Sequence, residues 1–324
     1  MPRSLSLPAI PRPTLPAPQP TEQWTADDIP DLAGRTYVVT GATSGIGFAT
    51  ARELATHGAH VVLAVRDTER GAEAAEQMTG GTGSTAVGHL DLADLSSVAA
   101  FAEALPGLLG SDAGSITGLV NNAGIMAVAQ ATSVDGFESQ FATNVLGHFL
   151  LTNLLLPRIT DRVVTLSSTM HRMGRLDLAD LGFSKRRYTP WAAYNQSKLA
   201  DLVFAYELQR RLTGAGSTLR SMAAHPGYAS TNLQRRSAGW QAGVMDWANR
   251  KTPLAQSADA GALPTLYATT VPDLPGGSYV GPGGFGEMAG SPRTVGSSPV
   301  SHDRRLGREL WAACETMTGR PFVV

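Results

Sequence analysis

The chain has a single cysteine in 324 residues, Cys314, so it forms no internal disulfide and no cysteine zinc cluster. That usage fits a reducing, cytoplasmic setting. Charge is scarce as well. Asp, Glu, Lys and Arg make up 16% of the residues, and 26 basic side chains against 27 acidic ones leave a net −1. So thin and balanced a charge excludes a charged coiled coil and a disordered polyampholyte. It also provides no field for holding nucleic acid or anionic lipid. No apolar run approaches the roughly 18 residues that span a bilayer, so stable membrane insertion is not expected. What is present is ordinary apolar content, 43%, which is enough for a sizeable core.

Proline is unevenly spread. Seven of the 20 prolines (Pro2, Pro8, Pro11, Pro13, Pro16, Pro18 and Pro20) lie in the first 20 residues. Proline fixes φ and removes a donor, so residues 1–30 read as an extended, mobile arm ahead of one domain spanning 31–324. A signal peptide is rejected: Pro8 and Pro11 cut the apolar stretch, and Arg12 falls where it should continue.

After Gly34, short β-branched runs alternate with amphipathic segments of helical length. Strands are expected at 36–40, 60–65, 85–89, 117–121 and 162–166, with a sixth before Pro226. Helices are expected at 45–57, 68–78, 94–105, 134–156 and 191–212. Continuous apolar strands between helices predict an α/β fold: a doubly wound parallel sheet of Rossmann type, three layers deep, in a single domain. Beyond His225 the pattern loosens. A helix at 256–269 and a last one at 303–317 flank a glycine-rich loop, 276–296, built around one short strand at 278–280.

The first strand runs into Thr40-Gly41-Ala42-Thr43-Ser44-Gly45-Ile46-Gly47. Glycines here permit a tight turn and close approach of the backbone to a pyrophosphate, which the N-terminus of the next helix attracts. Glycines also serve plain strand–helix packing, so the turn alone is not decisive. The second strand ends at Arg66, where many dinucleotide folds place an acid for a ribose 2′-OH. A guanidinium there suits a 2′-phosphate, so NADP(H) is expected over NAD(H).

Tyr194 and Lys198 stand at i and i+4 and share one helix face. A phenol is a poor acid–base group at pH 7, and a fixed ammonium beside it favours phenolate. The order of motifs carries more weight than any one of them. The turn Thr40–Gly47 is followed by Asn121-Asn122-Ala123-Gly124, Asn144, Ser167-Ser168, Tyr194-x3-Lys198 and Pro226-Gly227. From about Gly34 to Thr231 the chain resembles the short-chain dehydrogenase/reductase family.

The resemblance implies roles. Tyr194 would be the general acid–base, and Lys198 would lower its pKa and hold the nicotinamide ribose. Ser168 would orient the substrate oxygen, with Ser167 as the alternative one residue away. Asn144 would hold a water linking Lys198 to solvent. Gly41, Thr43, Ser44, Gly45, Ile46 and Gly47 would cradle the diphosphate, Asp91 and Leu92 would flank the adenine, and Asn121, Ala123 and Gly124 would lie beside the adenosine ribose. Pro226, Gly227 and Thr231 would clasp the carboxamide. For Asn121 a purely structural tie between strands fits equally well.

Within the family, the stretches around Asn144, Tyr194 and His225-Pro-Gly are similar to the retinol dehydrogenase and protochlorophyllide reductase branch. That implies a bulky, apolar alcohol or carbonyl substrate. Met126, His171, Met173, Tyr188 and Trp191 flank the motifs and are candidates for its pocket, or for core packing. Residues 228–255, with Trp240, Met245 and Trp247, would form a substrate lid. His148, among apolar residues, reads as a hydrogen-bonded core histidine. No histidine spacing suits a metal, and hydride transfer needs none. The family's pairing of long helices leaves a homodimer or homotetramer open. Two other readings keep the fold: a non-catalytic NADP(H)-binding redox sensor, and reduction of an activated C=C bond.

Overall fold

The computed structural model describes residues 23–78, 80–110, 114–228 and 256–324. The proline-rich stretch 1–22, Thr231 and the expected lid from residue 229 onward lie outside the described residues.

The described residues build one sheet of eight strands. These are β1 (Thr36–Thr40), β2 (His60–Val65), β3 (Ser84–His89), β4 (Ile116–Asn121), β5 (Ile159–Leu166), β6 (Arg220–Ala224), β7 (Tyr279–Pro282) and β8 (Pro292–Thr294). Their order is β3-β2-β1-β4-β5-β6-β7-β8. All neighbours pair in parallel except β7 and β8. The order reverses between β1 and β4, which opens a crevice at the carboxyl ends of the strands.

Alternation along the strands feeds two cores. Val38, Val62, Leu119 and Val163 face one layer of helices. Tyr37, Val39, Val61, Leu63, Val120 and Val164 face the other. On this second side lie α1 (Gly45–Thr56), α2 (Thr68–Glu76) and α6 (Ala258–Thr270). The first side holds α3 (Leu95–Ala104), the composite helix α4 (139–155), α5 (Pro190–Gly214) and α7 (Arg304–Thr318). The three-layer arrangement expected from the sequence is therefore present.

Three expectations change. Residues 23–30 are not part of a free arm: Trp24 and Ile29 are buried, and the Trp24 ring meets Tyr267 edge-on at 5.3 Å. The helix expected from Val134 starts five residues later. It runs as Ser139–Phe141, a π-helical turn Ala142–Leu146 and an α-helix Gly147–Leu155, together α4. Residues 132–138 form a hairpin-like turn instead, with Gly136 at φ +84° and Val134 exposed. Glu138 then caps α4, accepting from the N–H groups of Gln140 and Phe141. Lastly, the glycine-rich loop contains a second strand, β8, antiparallel to β7. It is three residues long, includes a proline and sits at the sheet edge, so it has no apolar periodicity to betray it.

The helix α5 is buried along most of its length. Thr189 caps it and Pro190 begins it. Its outer face, and that of α4, is covered by α7 and the C-terminal tail. The Trp311 ring lies 5.1 Å from Phe149, 5.9 Å from Phe204 and 4.5 Å from Phe322.

Candidate active site

The crevice holds a cavity of about 470 Å³ at the ends of β1, β2, β4 and β5, within the size range of small-molecule sites. Gly41, Thr43, Ser44, Gly45, Ile46 and Gly47 line it. Gly41 has φ +69°, and a Cβ there would meet the Cβ of Ala123 at 2.9 Å. At Gly47 a Cβ would collide with the side chain of Asn122. The turn therefore nests directly on the loop after β4. Thr40 pins that loop: its Oγ1 accepts from the N–H groups of Asn122 and Ala123, each at 2.9 Å. Ser44, at the N-cap of α1, makes no capping bond of its own. The helix end that faces the cavity is thus left for an anion.

At the outer end Arg66 lines the cavity together with Arg70, one turn into α2. The carboxylate between them is engaged. Asp67 caps α2, accepting from the Arg70 N–H at 3.1 Å. Asp91, Leu92, Ala123, Gly124, Met126 and Pro226 line the cavity as well. Asn121 does not. It is buried and donates to Thr152 Oγ1 at 3.0 Å, tying β4 to α4, while the adjacent Asn122 lines the cleft. Gly227 sits just outside the lining at φ +67°, a glycine required because a Cβ would press against the Met288 carbonyl at 2.5 Å.

Tyr194 and Lys198 project from α5 into the inner end. Lys198 Nζ lies 6.0 Å from the Tyr194 ring centre. It donates to the Leu166 carbonyl at 2.9 Å and to Asp201 Oδ2 at 2.8 Å. Burial pushes the Tyr194 phenol above its ordinary value; Lys198 and a hydrogen bond with Ser168 pull it back only in part. The expected lowering by Lys198 is present as a contribution, but burial wins in the free protein. Burial pushes the Asp201 carboxyl up to about 6 against the pull of Lys198. Asp201 escaped the sequence reading, although its i+3 spacing from Lys198 puts both on one helix face.

The two serines separate by direction. Ser167 Oγ donates to the Lys198 carbonyl at 2.7 Å and is buried. Ser168 hydrogen-bonds Tyr194, and its Oγ accepts from the Met170 N–H at 3.2 Å.

Asn144 sits in the π-helical turn. Its Oδ1 accepts from the Ile125 N–H at 2.8 Å, and its Nδ2 donates to the Ile125 carbonyl at 3.0 Å and to Ser197 Oγ at 2.9 Å. Both amide hydrogens are thus held by protein. A water held for Lys198 would have to use another atom of this turn. His148 is the core histidine expected: Nε2 meets Thr40 Oγ1 and Nδ1 meets the Asn144 carbonyl, both at 2.9 Å. Burial pushes it down to about 3.

Of the substrate candidates, only Met126 lines the cavity. His171 is buried behind the serine loop, with Nδ1 2.6 Å from the Ser168 carbonyl and Nε2 accepting from the Ser298 N–H. Met173 is 72% exposed on the rim of that turn. The Tyr188 hydroxyl donates to the Val128 carbonyl at 2.9 Å and receives the Gln140 amide, so it shapes the wall rather than facing the cavity. Trp191 packs edge-on against Tyr194, ring centres 6.0 Å apart.

Fold and cleft together define a dinucleotide-binding α/β protein with a tyrosine–lysine pair at the inner end of its site. The family profile described as short chain dehydrogenase matches residues 35–242. Human retinol dehydrogenase 13 is 37% identical over 301 residues, which cover 89% of this chain and 86% of that protein. Mouse polyprenol dehydrogenase is 39% identical over 307 residues, 90% and 86% of the two. An uncharacterized protein from Mycobacterium paratuberculosis, known from its crystal structure, is 50% identical, with a TM-score of 0.79 over 94% of this chain and all of that one. RhlG of Pseudomonas aeruginosa, solved as an NADP active-site complex, is 25% identical with a TM-score of 0.59 over 77% and 94%. The chain belongs to the short-chain dehydrogenase/reductase family, in its retinol dehydrogenase branch. It is an oxidoreductase type whose members interconvert alcohols and carbonyls with a nicotinamide cofactor. Among the described residues no helix is long and apolar enough to cross a membrane.

Proposed function

We propose that the protein is an NADP(H)-dependent oxidoreductase that interconverts an apolar alcohol with its aldehyde or ketone, using Tyr194 as general acid–base. The observation that carries this reading is that Tyr194 and Lys198 line the inner end of the cleft together, with the Ser168 side chain, just outside the lining, bonded to Tyr194. The residues present fit a dinucleotide: an uncapped helix end, a glycine turn and two arginines line one continuous cavity. A bound nicotinamide supplies or accepts the hydride. Ser168 orients the substrate oxygen, and Tyr194 gives its proton to that oxygen in reduction or takes it in oxidation.

Arg66 and Arg70, with Asp67 turned to capping, support a 2′-phosphate and hence NADP(H). Relatives named for retinol and polyprenol support an apolar substrate, as does Met126 on the wall. A cytoplasmic place is part of this reading, in keeping with Cys314 as a buried thiol. The test is Tyr194→Phe assayed on a panel of apolar aldehydes and ketones, beginning with retinal. Turnover is expected to fall by about 10²–10⁴-fold with NADPH affinity kept. Retained turnover sinks the reading.

A further inference from the structure

We propose that Asp201 is a positioning residue of this site: it clamps Lys198 Nζ and opposes the lysine's charge at Tyr194. The inference rests on the reading of Tyr194 as the acid–base group. Tyr194, Lys198 and Asp201 stand at i, i+4 and i+7, a single stripe on α5. Two of the three Lys198 donors are fixed by protein, on Leu166 and on Asp201, which leaves one for the cleft. The carboxylate is 2% exposed, and Lys198 is its ion-pair partner. The acid farther along the helix behaves differently: Glu207 pairs with Arg210 and Arg211, away from the cleft.

A buried carboxylate is costly to keep, and a neutral residue would hold the lysine with less desolvation. The charge has an effect of its own. It cancels part of the ammonium's field at the phenol and so adds to burial, the larger cause, in keeping the proton on Tyr194. That state suits delivery of a proton to a carbonyl oxygen, the reductive direction.

Among the described residues, few groups face this stripe. Ser168 faces Tyr194 from the end of β5. His148 faces Lys198 from α4 and is held neutral by burial. In the turn Thr169–Met173, His171 and Arg172 face Glu287 instead. From α7, Arg304 and Arg308 face Arg210.

The experiment is an NMR pH titration of tyrosine labelled at Cζ, with the protein alone and with NADP⁺. Tyr194 is assigned by its loss in Tyr194→Phe. Asp201→Asn keeps an acceptor for Lys198 and removes the charge. It should lower the Tyr194 midpoint by about half a pH unit or more, as expected for a charge two helical turns away in a protein interior. Asp201→Glu, which keeps the charge, should restore it. An unmoved midpoint in Asp201→Asn overturns the proposal. If Asp201→Asn does not fold, the wild-type resonance carries the test. It should show a second inflection in the acid range, where Asp201 takes its proton, and a single-step curve overturns the proposal. Turnover of Tyr194→Phe reports separately on the reading beneath it, since that reading fails only if this variant stays active.

Discussion

Ser167 donates its hydroxyl proton to the main-chain carbonyl of Lys198 at 2.7 Å, so the end of β5 is bolted to the helix that carries Tyr194 and Lys198. The neighbouring Ser168 is turned the other way, to Tyr194. Strand geometry sends adjacent side chains to opposite sides, and this divides the two serines into one tied to the Lys198 carbonyl and one turned to Tyr194.

Single alanine substitutions should therefore diverge. Ser168→Ala is expected to cut kcat by about 10²-fold or more while leaving the unfolding midpoint in urea near wild type. Ser167→Ala is expected to cost about 1 kcal/mol in the same urea titration, the net worth of a buried hydrogen bond. The opposite pattern would exchange their roles.

Arg66→Ala and Arg70→Ala are each expected to weaken NADPH binding about tenfold or more, the scale of one charge-assisted hydrogen bond, with NADH binding unchanged. Nicotinamide fluorescence titration reads both. Equal losses for the two cofactors would make these arginines general contributors rather than readers of the 2′-phosphate.

Acid should destabilise the fold near neutrality. Burial pushes His148 down to about 3 and His171 to about 4. Both are neutral when folded and take up a proton when unfolded, so stability falls as pH drops below about 6.5. Asp201 works in the opposite sense. With its carboxyl raised to about 6, it binds a proton in the folded state first. Burial also lowers His302 and raises Glu138, so three histidines stand against two acids, and the loss should approach about 1.4 kcal/mol per pH unit for each net proton. Urea unfolding between pH 7 and 5 measures this slope. His171→Asn should flatten it, and an unchanged slope would mean that the histidine titrates alike in both states.

The α4–α5 face, through which the resemblance suggested pairing of subunits, lies under α7, where Trp311 and Phe322 meet Phe149. The full chain is expected to sediment without a dimer built on those helices. Trp311→Ala should cost about 3–5 kcal/mol as a large-to-small core change. Removal of residues 303–324 should bare apolar surface and produce self-association. A full-length dimer cross-linked through α4 and α5 would contradict this.

Much of the molecule was legible before its structure. β1 and β2 fall where their β-branched runs placed them, and the glycine turn, Arg66 and the tyrosine–lysine pair all line one cleft. These features are local: periodicity, turn chemistry and helix spacing act within a few residues, so the chain order alone carries them. The start of α4 was misread because Gly136 and the capping Glu138 override an apolar pattern that looks helical from Val134.

What only the tertiary structure decided depends on directions and on groups far apart in sequence. Asn121 was assigned to bracing by Thr152, 31 residues away, and His171 was drawn out of the pocket by Ser298, 127 residues away. Strand β8 exists only because β7 offers it an edge. The sequence by itself determined the fold and the family. The packed structure decided which serine faces the phenol, what shields the long helices, and that burial, more than Lys198, governs the proton on Tyr194. Burial is a sum over all surrounding layers, and no stretch of sequence contains it.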